Sequence, residues 1–549
     1  MTVTPVEYRS AGRWFVPPVQ FAAAARIATA LIGRAGVAVA ALLLPAIILA
    51  VWALAARYEL VAPQILPAPA IVWDTAIDLF RSGQLQAELL VSLGRLAAGL
   101  ACGAVAGLAI GVAMGLSPRL EAYLGPLVRA VWLVPSLGWL PFFMLLFGIG
   151  EALKIVIIAK ACFLPMMVNG FDGVRSVPHK YREVARTLEL GRLDTLRFVV
   201  LPAILPHVLT GFRLSLSKGW QVLVLVEMIA SAAGIGYLMT WGRKSFQLDV
   251  VLVTIVVIGI TGWLLDRAAS AIEARAAGWA SRSASSPPAM SAAHLGDWRG
   301  AVLPALVVLA WLVAGEFAIG RSPLFVSVGA VKTALLESIA SGGLPAAIGA
   351  TVLRAFLGWI IGSAAGFALG LLLGLSNASR RVMAPTLHGA RQVALFAWIP
   401  LLSAWLGNGE AMKLALIALS AFFPVLLQVE AGCRAVPVPY REVGRLYGFD
   451  RLSEIVFVVL PAAAPMIISG LELAFAIAWI GTIGAEYLIG TGYMNASPDG
   501  LGAFLAGARE DARMDLVVVG ILSLGVVGLL LDRLVVLSAR RAAAWHSSH

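Results

Sequence analysis

The chain has 549 residues, 60% of them hydrophobic and only 13% charged, with a net charge of +11. A soluble globule would carry about 25% charged residues, so a water-soluble fold is excluded, and no compact basic domain is present that could hold DNA or RNA. Cys102, Cys162 and Cys433 show no metal-ligand spacing and read as buried, reduced thiols.

Residues 1–34 hold Arg9, Arg13, Arg26 and Arg34 without a compact signal-peptide pattern, and read as a cytoplasmic arm. About 20 apolar residues are enough to cross a bilayer as a helix. Six such spans are expected within a first domain, 35–279, at 36–57, 89–116, 122–148, 153–172, 202–230 and 250–268. Residues 280–299 are rich in Ser, Ala and Pro, the composition of a flexible cytoplasmic linker. A second domain, 300–549, then repeats the pattern at 300–319, 347–375, 381–406, 412–431, 460–490 and 515–537. The expected fold class is an all-α polytopic membrane protein of about 12 transmembrane helices.

The two domains are copies. Tyr181 recurs as Tyr440, an offset of 259 that also relates Arg95 to Arg354, Trp139 to Trp398, Trp220 to Trp479 and Glu227 to Glu486. Between 181–214 and 440–473, 16 of 34 positions are identical. Toward the end the offset becomes 266, pairing Asp266-Arg267 with Asp532-Arg533, so the second copy has gained seven residues within 487–500. Shared apolar composition cannot hold charges, Trp and Pro in such register; this is a tandem duplication. Because six spans is an even number, the repeats are parallel rather than inverted. With both termini cytoplasmic, the N-terminal arginines, Arg119, Arg380, Arg381 and the linker arginines fall on one side, as the positive-inside rule requires.

That orientation places "YREV" (181–184 and 440–443) in the cytoplasm between the fourth and fifth spans of each copy. Tyr181, Val184, Ala185 and Leu188 fall at i, i+3, i+4 and i+7, as do Tyr440, Val443, Gly444 and Tyr447, which is the spacing of one helix face. Arg182 and Glu183, and Arg441 and Glu442, lie on the other. Gly448 offers the second helix a stop, and Gly191 the first.

These stretches resemble the EAA loop of the permease subunits of ABC importers, a Glu-Ala-Ala with a Gly three residues on and a later Ile-x-Leu-Pro. The second copy supplies Glu442-Val443-Gly444, Gly448 and Val458-Val459-Leu460-Pro461; the first supplies Glu183-Val184-Ala185 and Val199-Val200-Leu201-Pro202, with Glu189 where the Gly is expected. The flanking runs "GWLPFFMLLFGIGEALK" (138–154) and "AWIPLLSAWLGNGEAMK" (397–413) are similar to the nitrate, sulfonate and taurine branch. The resemblance implies two fused permease domains of the type I importer fold in a bacterial inner membrane. It implies that Tyr181, Arg182, Glu183, Ala185 and Glu189, with Tyr440, Arg441, Glu442, Gly444 and Gly448, dock two ATPase subunits, the first site through a looser turn at Glu189. A binding protein outside the membrane would deliver a small anion. The chain has no Gly-x-x-x-x-Gly-Lys-Ser/Thr loop, so ATP and Mg²⁺ are expected on the separate ATPase chains, with no cofactor, metal or catalytic residue here.

For the pathway, charge at membrane depth is the guide, since each such group costs about 2.5–3.5 kcal/mol on insertion scales. The charges that qualify are Lys160 in the fourth span, Arg213, Lys218 and Glu227 along the fifth, and Glu472 and Glu486 on its counterpart. Lys218 with Trp139, Trp220, Trp398 and Trp479 as aromatic neighbours would suit an organic anion. Arg213 and Glu472 occupy equivalent positions and could pair across the pathway. Arg95 and Arg354, near helix ends, are expected to snorkel. The glycines at every fourth position, 99–115 and 358–374, predict close helix packing. The alternative is an ion-coupled secondary transporter with two six-helix repeats, which would need a coupling carboxylate such as Glu472 and no docking helices.

Overall fold

The computed structural model describes residues 40–276, 299–317, 326–489 and 500–542, and every regular element among them is helical. The expected N-terminal arm, linker residues 280–298 and insertion residues 490–499 lie outside the described residues.

The first half runs α1 (Ala40–Arg57), α2 (Pro69–Arg81), α3 (Gln84–Leu116), α4 (Pro118–Leu133), α5 (Ser136–Phe147), α6 (Glu151–Ser176), α7 (His179–Thr187), α8 (Leu201–Ala230), α9 (Ile235–Lys244) and α10 (Leu248–Ala276). The second half repeats that order: α11 (Arg299–Phe317), α12 (Val328–Ala340), α13 (Gly343–Leu375), α14 (Asn377–Ala390), α15 (Ile399–Leu406), α16 (Glu410–Ala435), α17 (Val438–Leu446), α18 (Leu460–Ile489), α19 (Leu501–Glu510) and α20 (Met514–Ala542). Among the described residues, eight helices are long and apolar enough to cross a membrane: α1, α3, α8 and α10, then α13, α16, α18 and α20. α6 matches α16 in length but carries Lys160 and Asp172 where α16 has Leu419 and Ala431.

The expected third span of each half is not one helix. In the first half it breaks between α4 and α5, where Val134 is extended (φ −85°, ψ 117°) ahead of Pro135, the conformation that a following proline favours. The second half breaks at the same place, with Ala394 extended (φ −56°, ψ 133°) where the first half has Pro135, then makes one 3-10 turn, Leu395–Trp398, before α15. Tertiary packing therefore sets the break. Leu137 after the first break and Phe396 after the second both press on the backbone of Gly484 in α18.

The core of each half is α6 laid against α3 and α8, and α16 against α13 and α18. The glycine ladder makes the first contact possible. A Cβ at Gly103 would collide with the Ala159 carbonyl, and one at Gly362 with the Ala418 carbonyl, so backbone meets backbone there. The halves exchange elements across a seam: α4 packs on α11 and α5 on α19 and α20, while α14 and α15 pack on α10. One cluster of buried side chains accordingly joins Leu137 and Leu140 to Phe396, Leu505 and Leu524.

Candidate functional site

α7 and α17 are built alike. Each starts at an extended proline, Pro178 or Pro437, and each ends in a left-handed residue, Glu189 (φ 52°) or Gly448 (φ 73°). In the first, the Glu189 and Leu190 amides donate to the carbonyls of Arg186 and Ala185, both at 3.0 Å; in the second, Gly448 and Phe449 donate to Arg445 and Gly444 at 3.0 and 3.1 Å. The looser first turn expected from Glu189 is therefore not found. The same double-bonded stop closes both helices, it lies at Glu189 rather than Gly191, and Glu189 bears about 1–2 kcal/mol of left-handed strain that a glycine avoids.

Of the expected apolar stripe, only Ala185 and Gly444 are buried, the latter close to Val458. Tyr181 (47% exposed) and Val184 (55%), like Tyr440 (57%) and Val443 (49%), face outward, and Leu188 and Tyr447 extend the same faces. Glu183 is exposed and within 2.9 Å of the His179 ring. Glu442 is exposed, and Arg441 donates to the Cys433 carbonyl at 2.6 Å, tying α17 to the end of α16. Asp450, which caps the turn after α17, accepts from Ser453, and that bond holds its carboxyl below the usual range. The Arg182 side chain lies outside what the structure describes.

At the opposite ends of the long helices lie two largely buried charge clusters; sequence reasoning marked Glu227 and Glu486 as charges at membrane depth but missed the partners that gather round them. Arg95 does not snorkel. It is 6% exposed, with Nη1 on Glu227 (2.8 Å) and Nε and Nη2 on Glu151 (2.7 Å each). Lys154 joins through Glu151 at 2.7 Å. Glu227, fully buried, also accepts from Ser92 Oγ and from the Gly236 amide, so one carboxylate ties α3 to the start of α9. Arg354, Glu486, Glu410, Lys413, Thr351 and the Gly502 amide reproduce the arrangement in the second half. A carboxylate receiving several donors offsets the cost of its burial. The repeat offset could have flagged these residues, since each charge recurs; their partners lie too far along the chain for pattern to reveal.

The pathway candidates separate. Arg213 is taken by two carboxylates of its own half, Asp266 (2.8 and 3.1 Å) and Glu273 (3.5 Å) on α10, rather than being held in reserve for Glu472, which is half-buried on α18. Trp220 is core: buried, with its indole N–H on the Ile258 carbonyl at 3.2 Å. Trp479 is buried against Gly528. Trp139 and Trp398 stand at the two breaks, each packed against a cluster containing residues of the opposite half. Lys218 is exposed on α8. Cys102, contrary to expectation, is exposed, while Cys162 and Cys433 are buried.

Two tandem helical repeats interlocked across a seam, with matched amphipathic helices at one end, define a polytopic, two-domain membrane transport component. The family model described as "Binding-protein-dependent transport system inner membrane component" matches residues 103–278 and again 362–544, and the chain belongs to that family. It is similar to the putative aliphatic sulfonates transport permease protein SsuC of Bacillus subtilis, 38% identical over 43% of this chain and 86% of the relative. The taurine transport system permease protein TauC of Escherichia coli is 36% identical over 43% of this chain and 87% of its own. The nitrate import permease protein NrtB of Leptolyngbya laminosa is 31% identical over 42% and 84%. Most of a relative thus fits within one half, and the chain is a fused two-domain ABC permease.

Proposed function

We propose that this chain is the whole membrane pathway of an ATP-driven importer. α7 and α17 face the cytoplasm as coupling helices for two separate ATPase subunits, with ATP and Mg²⁺ bound there, and both termini lie on the same side. A binding protein on the other side delivers a small anion of the kind named for the relatives: a sulfonate, taurine or nitrate. The observation that carries the reading is that each half leaves the tyrosine-valine face of a short, well-capped helix uncovered, twice, in the same geometry. A lone exposed apolar face costs solubility; two matched faces on one chain suit two copies of one partner.

The test is charge reversal in the purified transporter. Glu183→Arg and Glu442→Arg should each weaken retention of the ATPase or uncouple ATP hydrolysis from uptake. Since the two turns share one geometry, the effects should be of similar size. Full ATP-driven uptake in both variants would refute the docking assignment, and uptake by the chain alone on an ion gradient would favour a secondary transporter.

A further inference from the structure

We propose that Lys160 and Trp139 form one anion-binding subsite at the break between α4 and α5, holding the acidic group of the transported molecule as it crosses; this deepens the proposed function and rests on it. Lys160 lies within α6, and its Nζ stands 5.7 Å from the centre of the Trp139 ring. Its one hydrogen bond among the described residues is a long donation, 3.4 Å, to the Val134 carbonyl. Among those residues no carboxylate lies within ion-pair distance of it, whereas Arg95, Lys154, Arg213, Arg354 and Lys413 each have one. An uncompensated ammonium at membrane depth is a functional group by default.

The second donor is on the ring itself. The Trp139 indole N–H is buried and meets no acceptor among the described residues. A buried donor left unmade loses its water without return. Phe142 and Phe143 pack on the indole, the latter nearly parallel at 5.9 Å, so the surroundings are apolar and fix the ring. A cation and an N–H on one tryptophan, both short of acceptors, suit a ligand group that brings negative charge and at least two oxygens. A sulfonate does this, and a nitrate ion does too.

The place is also right for passage. Val134 packs toward Gly525 of α20, and Leu137 reaches Gly484 of α18, so the subsite lies beside the seam where the halves interlock. The second half keeps the matching Trp398 but has Leu419 in place of Lys160. The site is therefore single, and the fusion of the two halves is what allows a pathway charged on one side only.

The experiment uses the complete transporter, chain with ATPase and binding protein, in vesicles, with taurine, butanesulfonate and nitrate as probes. Lys160→Gln can still donate to the Val134 carbonyl but has no charge. It should cut uptake of the transported anion about tenfold, the weight of one charged hydrogen bond, while the ATPase still co-purifies. Lys160→Arg should keep most of the uptake, and Trp139→Phe, which loses only the N–H, should fall about threefold. Wild-type uptake by Lys160→Gln would overturn the subsite. If that variant does not purify, wild-type uptake by Trp139→Phe would do so. A wild-type transporter that imports none of the three anions would instead overturn the proposed function.

Discussion

In the first half Ser92, Arg95, Glu151, Lys154 and Glu227 meet in one cluster, buried but for Glu151; in the second, Thr351, Arg354, Glu410, Lys413 and Glu486 meet in another, buried but for Glu410, and both Arg–Glu contacts at the fully buried carboxylate measure 2.8 Å. Elsewhere the halves differ in charge: Lys160 aligns with Leu419, Lys218 with Ile477, and Arg213 with Glu472. The difference separates two jobs. The clusters hold α3, α8 and α9 together within a half, and each half needs that alone. In the proposed function the halves build one pathway jointly, so the two copies were free to diverge at such positions.

The equivalence of the clusters can be broken directly. Glu227→Ala and Glu486→Ala each leave a buried arginine short of a partner, so each should cost about 3–5 kcal/mol, seen as matched falls in melting temperature in detergent. A large loss in one half only would show that the clusters do different work. A smaller test addresses the helix contact. Gly103→Ala and Gly362→Ala should each cost about 1–3 kcal/mol, because the added methyl must push the facing backbones apart. The smallest effect sharpens the comparison at α7 and α17. Glu189→Gly should relieve strain and Gly448→Ala should introduce it, each by about 1 kcal/mol and with opposite sign; equal signs in the two melting shifts would refute the shared turn.

Much of this architecture was legible because duplication writes it twice. The register of charges and prolines located both halves, and the four-residue glycine spacing predicted a close helix contact without naming α6 as the partner. The amphipathic spacing located α7 and α17. What stayed hidden depends on distance or on tertiary context. Arg95 finds Glu227 across 132 residues, and a helix-end arginine in an apolar chain reads as a snorkelling one. α2, α9 and α19 are too short to look like spans. The third span reads as one helix from its length and apolar content, although Arg129 and Pro135 interrupt the first copy and Arg391-Gln392 the second; the second half breaks with Ala394 extended where the first half has Pro135. Glu189 misled for a similar reason, since the Schellman-type bonds after α7 hold a non-glycine residue in a glycine conformation.

The central claim is that one chain carries both docking helices and so needs two motor subunits. Native mass spectrometry of the purified transporter tests it most directly. The account predicts one copy of this chain with two ATPase chains. A complex with two copies of this chain and two ATPases, or one of each, would contradict it.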